Sequence, residues 1–253
     1  MIGCPIAVNS AGRCSCRNGS RRTKSPTMLA GMGRVAVTVP SLAALGATMV
    51  FVTGAILFSR SAEAFIGILR QIRPEQWDLP GLGSWTVRSL AGHTARAILT
   101  VENYLNQEEP GDVTIPSAAE YYTIVYPQFT DDAAVALRGV EAGEWLGDDS
   151  VGHVTAALLR ARGLIESQPA NRIVSIGGMG ILLTDYLHTR VFELVVHSID
   201  LSRATGIPHA LPPATIADAV SLAAATAVKR GDGEALLLAF TGRASLPEGF
   251  SIV

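Results

Sequence analysis

Apolar residues recur at helical spacing in several separate stretches of this chain, and that pattern most limits the folds open to it. Steps of three and four residues place apolar side chains on one face of a helix. The predicted helices span about 52–72, 84–108, 148–168, 182–205 and 213–229. Alanine is abundant and aromatic residues make up only 6% of the chain, which also favours helix. The sequence therefore predicts a mainly α protein.

The breaks between these stretches are less regular. Pro74 ends the first helix, Ser84 or Thr86 can cap the second, and Gly206 follows the one that carries Glu193. Residues 172–186 begin rich in β-formers, with a turn at Gly177-Gly178. Residues 109–150 contain several prolines and glycines and allow no firm assignment beyond two possible short helices, near 117–122 and 131–140.

Charge and cysteine content exclude several classes of protein. The net charge is −2, and the body of the chain has no Lys/Arg run, so we expect no nucleic-acid partner. All three cysteines lie within the first sixteen residues, which excludes a disulfide framework for the folded body.

The first 48 residues differ in composition from the rest. Residues 1–62 contain no acidic residue, and six basic residues precede the uncharged run Val35–Ser59. This segment could be an export signal or membrane anchor, a disordered basic tail, or an extension of a protein that truly begins near Met49 or Val52. The third interpretation is favoured, because the first predicted helix needs to begin only at 52–56. We therefore expect a non-native or disordered extension over 1–48, a helical domain over 52–206, and a short segment over 207–253 packed on it. A membrane association is expected only if residues 35–58 are a genuine anchor.

Glu193 and His197 lie four residues apart within an apolar helical run. Side chains at this spacing project together, and each is costly to bury alone. Zinc accepts both imidazole nitrogen and carboxylate oxygen, and catalytic zinc commonly has three protein ligands. His93, which also stands among apolar neighbours, is the candidate third ligand. The alternatives are an ordinary ion pair for Glu193 and His197 and a core histidine at position 93. Asp185 and Asp200 could orient ligands, although solvated helix charges are favoured for both.

Three segments resemble a known family. They are GSWTVRSLAGHTA (83–95), DYLHTRVFELVVHSIDLSRATG (185–206) and LAFTGRASLPEGFSIV (238–253). They are similar to segments of the mycothiol-dependent maleylpyruvate isomerases, actinobacterial members of the DinB-like metal-binding proteins. The resemblance implies an up-down four-helix bundle with a small C-terminal α(+β) extension. It also implies a zinc site made by His93, Glu193 and His197. Ser84 and Ser89 depart from the family pattern, but neither replaces a ligand.

The same resemblance implies a function. The expected cofactors are zinc and mycothiol, whose thiolate would add to an electrophilic small molecule in an isomerase or S-transferase reaction. Arg243 is the candidate catalytic residue for binding an anionic substrate, and Trp85 and Arg88 are candidate cofactor-binding residues at the mouth of the site. A cytoplasmic location is expected. The alternative is a non-catalytic metal-binding module with a sensing or partner-binding role.

Overall fold

The computed structural model describes residues 41–129 and 132–252. The helices are α1 (Leu42–Leu69), α2 (Val87–Leu105), α3 (Ala118–Glu120), α4 (Asp132–Trp145), α5 (Ser150–Glu166), α6 (Leu183–Thr205), α7 (Pro213–Arg230) and α8 (Gly233–Phe240). Strands β1 (Ile173–Ile176) and β2 (Met179–Leu182) form an antiparallel hairpin before α6. The mainly helical fold predicted from the sequence is confirmed.

Four long helices enclose the core. Helices α1 and α2 each pack against both α5 and α6, which is the four-helix arrangement that a DinB-like bundle requires. Buried side chains from all four meet in one cluster, including Phe65, Ile98, Leu158 and Leu194. Helix α4 covers the outside of α2, whereas α7 covers α6 and in turn carries α8.

The termini of α2 and α6 follow from their sequences. The Thr86 side chain accepts a hydrogen bond from the Ser89 amide at 3.2 Å and so caps α2. Gly206 ends α6 in the left-handed conformation, with φ of 72°, which glycine adopts without steric cost. Both ends were predicted from these residue types, and they fix the positions of the two helices that carry the candidate metal ligands.

The first helix begins earlier than the sequence analysis expected. Helix α1 starts at Leu42, not at 52–56, because nothing in the uncharged run from residue 41 onward interrupts a helix. One segment among the described residues, Gly46–Leu69, is long and apolar enough by composition to cross a membrane, and half of its most apolar window is buried inside the bundle. Phe58 and Phe65 in this segment are fully buried, so its second half forms part of the protein core. The earlier part of the expected extension, residues 1–40, lies outside the described residues.

The C-terminal segment is helical in the region described. Helix α7 packs on α6, α1 and α3, and α8 packs on α7. The expected β contribution lies elsewhere: the two strands precede α6, where Gly177 and Gly178 make the predicted turn at φ of 58° and 86°. This hairpin brings Ile176 to the cavity described next.

Candidate metal centre

The structure brings together the three residues proposed as metal ligands. His93 comes from α2, and Glu193 and His197 come from successive turns of α6. One ligand atom of each lies within 4.8 Å of the others. His197 Nε2 stands 3.3 Å from Glu193 Oε2, and the His93 and His197 rings meet edge to face with centroids 4.9 Å apart. Two imidazole nitrogens and a carboxylate converging in this way form the donor set of a three-ligand zinc site.

His93 is neutral and has one ring nitrogen without a hydrogen bond in the described part of the chain. Its Nδ1 is buried and has no hydrogen-bond partner among the described residues. Burial, with the nearby charge of His197, lowers the pKa of His93 to about 3, so the ring is neutral and retains a lone pair. A buried polar atom without a partner is costly, and the neutral ring retains the lone pair that a metal ligand needs.

Glu193 and His197 carry opposite charges in the absence of metal. Burial alone would raise the pKa of Glu193, but the hydrogen bond to His197 and the charge of Arg190 lower it to about 2. Burial alone would lower the pKa of His197, but hydrogen bonds to Asp200 and Glu193 raise it to about 9. The candidate centre thus holds an anionic carboxylate, and His197 must lose its proton before it can bind a metal ion.

Two further residues fix the orientation of these ligands. The Tyr122 hydroxyl lies 2.9 Å from Glu193 Oε1 and donates to it. Asp200 Oδ2 lies 3.1 Å from His197 Nδ1, leaving Nε2 directed at Glu193. Metal-binding histidines commonly donate their second nitrogen to a carboxylate. Asp200 therefore orients His197, a candidate ligand, which corrects the expectation of a solvated charge. Asp185 instead accepts the Ala118 amide at 3.0 Å.

A cavity of about 540 Å³ opens on the three candidate ligands. Aromatic residues form much of its wall: Trp85, Tyr104, Tyr121, Tyr126 and Tyr186. The Trp85 ring lies against His93, with centroids 4.5 Å apart, and its indole N–H donates to the Ala136 carbonyl at 3.3 Å. The volume is typical of sites for small organic ligands.

Of the other three predicted site residues, the structure places one at the cavity and two away from it. Trp85 lines the cavity, whereas Arg88 and Arg243 are not among its lining residues. The Arg88 guanidinium stacks on Trp77, 4.7 Å from its ring centroid, and donates to the Gly147 carbonyl at 3.2 Å. Arg243 is exposed in the turn after α8, where its side chain contacts the Thr241 carbonyl.

Sequence reasoning missed Tyr122 and Arg190. Tyr122 belongs to the π-helical turn Tyr121–Val125, in the region that gave no firm assignment. Arg190 is buried and lines the cavity one turn before Glu193. Its place in an apolar run, on the same side of the helix as Glu193, was the available signal.

A comparison with known protein families identifies one that matches this chain. A family model described as the mycothiol maleylpyruvate isomerase N-terminal domain matches residues 58–202, which is more than half of the chain and includes all three ligand candidates. Neither the curated proteins nor the solved structures gave a match. The chain belongs to the mycothiol maleylpyruvate isomerase N-terminal domain family.

Proposed function

We propose that the protein is a zinc-binding, thiol-dependent enzyme that joins the thiolate of mycothiol to an electrophilic small molecule. One observation carries the proposal. His93, Glu193 and His197 converge at the wall of a cavity large enough for a small organic ligand. Family membership supports the same class of function.

The three residues fit a divalent cation chemically. His93 is neutral and has an unpartnered buried nitrogen, Glu193 is anionic, and His197 is held by Asp200. A zinc ion bound here would supply positive charge that lowers the pKa of a thiol in the cavity and so favours the thiolate. We expect no protein group to complete the coordination, because the described residues offer no fourth His, Cys, Asp or Glu in this group.

The surrounding residues prepare the site. Tyr122 and Asp200 hold Glu193 and His197 in fixed orientations, which limits the reorganisation needed on binding. Trp85 lies against one side of His93, and aromatic side chains form much of the cavity wall around the candidate ligands. In such surroundings electrostatic interactions with a bound anion are stronger than in bulk water.

Two reaction types fit this arrangement. Addition to a conjugated double bond, followed by rotation and loss of the thiol, would isomerise the substrate. Retention of the new carbon–sulfur bond would make the protein an S-transferase. We propose a cytoplasmic location for either reaction, since low-molecular-weight thiols are kept reduced there.

Metal analysis of the purified full chain tests the proposal. We expect close to one zinc per chain in the wild type and little in His197→Ala. His153→Ala is the matched control, because His153 is exposed and contacts the Leu146 carbonyl instead of the cavity. Mycothiol is then titrated into cobalt-substituted protein, where a thiolate entering the coordination shell changes the visible absorption spectrum.

The outcomes separate the candidate functions. Zinc that depends on His197, together with a spectral change on adding mycothiol, supports the enzyme. Stoichiometric metal whose spectrum ignores thiols points to a non-catalytic binding module. A wild type that takes up no added zinc contradicts the proposal at its first step.

A further inference from the structure

Arg190 is a buried cation at the wall of the cavity. Its exposed fraction is 7%, and it is the one charged residue in the buried class among the described part of the chain. An arginine stays protonated in proteins. Burying its charge is therefore costly unless an anion or hydrogen-bond acceptors compensate for the lost water.

The protein compensates Arg190 only in part. Nε donates to the Thr189 hydroxyl at 3.1 Å, and Nη2 donates to the Tyr121 hydroxyl at 3.2 Å. Among the described residues, no carboxylate oxygen lies within 4.0 Å of an Arg190 guanidinium nitrogen, the distance at which an ion pair forms. Glu193 stands one turn further along α6, but its two oxygens face the Tyr122 hydroxyl and His197 Nε2. The guanidinium therefore interacts with Glu193 only at longer range and has no direct carboxylate partner among the described residues.

Aromatic rings hold the guanidinium in place. Its Cζ lies 4.8 Å from the ring centroid of Tyr186 and 5.5 Å from that of Tyr121. Stacking of this kind stabilises a planar cation and limits its rotation. A preorganised guanidinium loses little entropy when it binds a ligand.

The charge of the cavity wall also favours an anion. Arg96 and Arg190 both line the cavity as the structure describes it, whereas Glu193 supplies the only carboxylate among its lining residues. That carboxylate belongs to the candidate metal centre. A bound metal ion would make the cavity more positive still.

We propose that Arg190 and Tyr121 form a carboxylate-binding subsite, so that the electrophile is a small carboxylic acid whose carboxylate sits against Arg190. The guanidinium can donate two N–H groups to a carboxylate, a geometry that lysine cannot reproduce. Tyr121 accepts from Nη2 and keeps its own hydroxyl proton for the ligand. The identification of the ligand as the electrophile rests on the proposed function, whereas carboxylate binding at Arg190 does not.

Binding of benzoate and benzamide tests the subsite, because the two probes have nearly the same shape and differ in charge. Calorimetry is done on the full chain with zinc and after treatment with a chelator. A charge-assisted pair adds about 1.5–3 kcal/mol, so we expect wild type to bind benzoate at least about tenfold more tightly than benzamide in both forms.

The variants assign that preference to Arg190. In Arg190→Met we expect a benzoate-to-benzamide ratio near one, because the guanidinium that favours the charged probe is absent. Arg190→Lys should give an intermediate ratio. Arg88→Met is the matched control, because that guanidinium stacks outside the cavity, and its ratio should equal that of wild type.

Several results would overturn the subsite. They are equal binding of the two probes by wild type, an unchanged preference in Arg190→Met, or a preference that vanishes when zinc is removed. The last would place the carboxylate on the metal. If Arg190→Met does not fold, the ¹⁵N resonance of Arg190 Nε in wild type replaces it: a shift with benzoate alone supports the subsite, and no shift at saturating benzoate contradicts it. Because the preference is measured without metal, it can stand even if the zinc and thiol chemistry fails.

Discussion

Glu193 illustrates how single residues set the chemistry of the cavity. It is a nearly buried carboxylate on an apolar helix, yet its neighbours keep it ionised: His197 bonds one oxygen, and Arg190 lies one turn before it. The tyrosine that bonds its other oxygen lies 71 residues earlier in the chain. A spacing of four residues predicted the pairing with His197, but no local pattern in the sequence predicts a partner that tertiary folding delivers.

Metal binding at this centre should release about one proton per ion at neutral pH. The pKa of His197 is about 9 without metal, so its ring is protonated below that value, whereas a metal ligand must be neutral. Glu193 and His93 contribute no proton, because their pKa values of about 2 and 3 leave them deprotonated. Apparent affinity should therefore rise with pH up to about 9 and then level off. Calorimetry of zinc binding in two buffers of different ionisation enthalpy measures the released protons, and a value near zero would contradict the assignment.

Tyr122→Phe should lower metal affinity while the aromatic ring keeps its place in the core. The substitution removes the hydroxyl that donates to Glu193 Oε1, and loss of such outer partners typically costs about 10–100-fold in metal affinity. Competition with a chromophoric chelator measures the change. Tyr186→Phe is the control, since Tyr186 is equally buried but its hydroxyl bonds Thr100. Equal effects of the two substitutions would show that Tyr122 acts through general stability and not through Glu193.

At the scale of elements, α6 joins the metal centre to the covering helix α7. His188 of α6 bonds Asp218 of α7, with Nδ1 2.9 Å from the nearer carboxylate oxygen. This hydrogen bond raises the pKa of His188 although burial acts in the opposite direction, and Asp185 adds to the rise. A raised folded-state pKa means that the protonated form is stabilised by folding. The contribution is fully present below the unfolded pKa of about 6.5 and is lost as pH rises through the folded value.

His188→Gln should therefore cost more stability at acidic than at alkaline pH. We expect the difference in free energy of unfolding between wild type and variant to shrink steadily as pH increases above about 6.5. Denaturant unfolding at a series of pH values gives this difference directly. The stability difference between wild type and Asp218→Asn should also shrink as pH rises, because this substitution removes the other half of the pair. A difference that does not vary with pH would assign His188 a packing role only.

The crossing of α2 and α4 depends on glycine. A Cβ on Gly92 would lie 2.2 Å from the backbone nitrogen of Gly143, so the two helices approach closely only because neither residue has a side chain. Gly92→Ala should separate them and destabilise the fold by about 1–3 kcal/mol. Gly163→Ala is the matched control: that glycine lies exposed on α5 with open space around it, and alanine there should stabilise by up to about 1 kcal/mol. Thermal unfolding shows whether each substitution stabilises or destabilises the fold. An unchanged stability of Gly92→Ala would contradict the close crossing.

The sequence predicted best those elements whose apolar residues recur at regular helical spacing. Helix α2 was predicted closely, since its capping Thr86 and the buried residues Val87, Leu90 and Val101 follow helical spacing. Helix α4 crosses α2 through glycines whose role depends on a neighbour 51 residues away, and a π-helical turn follows α3. Neither feature has a periodic signature, so the region between α2 and α5 gave no firm assignment.

At the scale of the whole molecule, the site exists because four helices bring distant residues to one wall. His93 lies 100 positions before Glu193, and only the packing of α2 on α6 unites them. The same packing leaves the cavity between the candidate metal centre and the buried arginine. The apolar pattern predicted the helices, and the spacing of Glu193 and His197 together with the family resemblance predicted the candidate ligand set. The shape and charge of the cavity, however, depend on how α4 and the hairpin close it, which no segment of the sequence reveals alone.

The start of α1 gives a whole-molecule prediction. Met49, Val50, Val52 and Ile56 are exposed, whereas Phe51 and Phe58 are buried in the core. We expect a chain lacking residues 1–48 to keep the thermal midpoint of the full chain within about 2 °C, because it retains both buried phenylalanines. A chain lacking residues 1–58 loses both. Removing a buried phenylalanine costs about 3–5 kcal/mol, and domains are stable by only about 5–15 kcal/mol, so this second chain should not fold at room temperature.

Far-ultraviolet circular dichroism during heating, with zinc content measured in parallel, distinguishes the two deletions. The shorter deletion should keep both the cooperative transition and the metal. If it lowers the midpoint strongly, residues before Met49 stabilise the fold. The expectation that the chain folds equally well without them would then be wrong. If the longer deletion still unfolds cooperatively near the wild-type midpoint, the first half of α1 is not part of the core. The two deletions differ by ten residues, of which Phe51 and Phe58 are the two buried large side chains, so a contrast between them assigns the effect to burial.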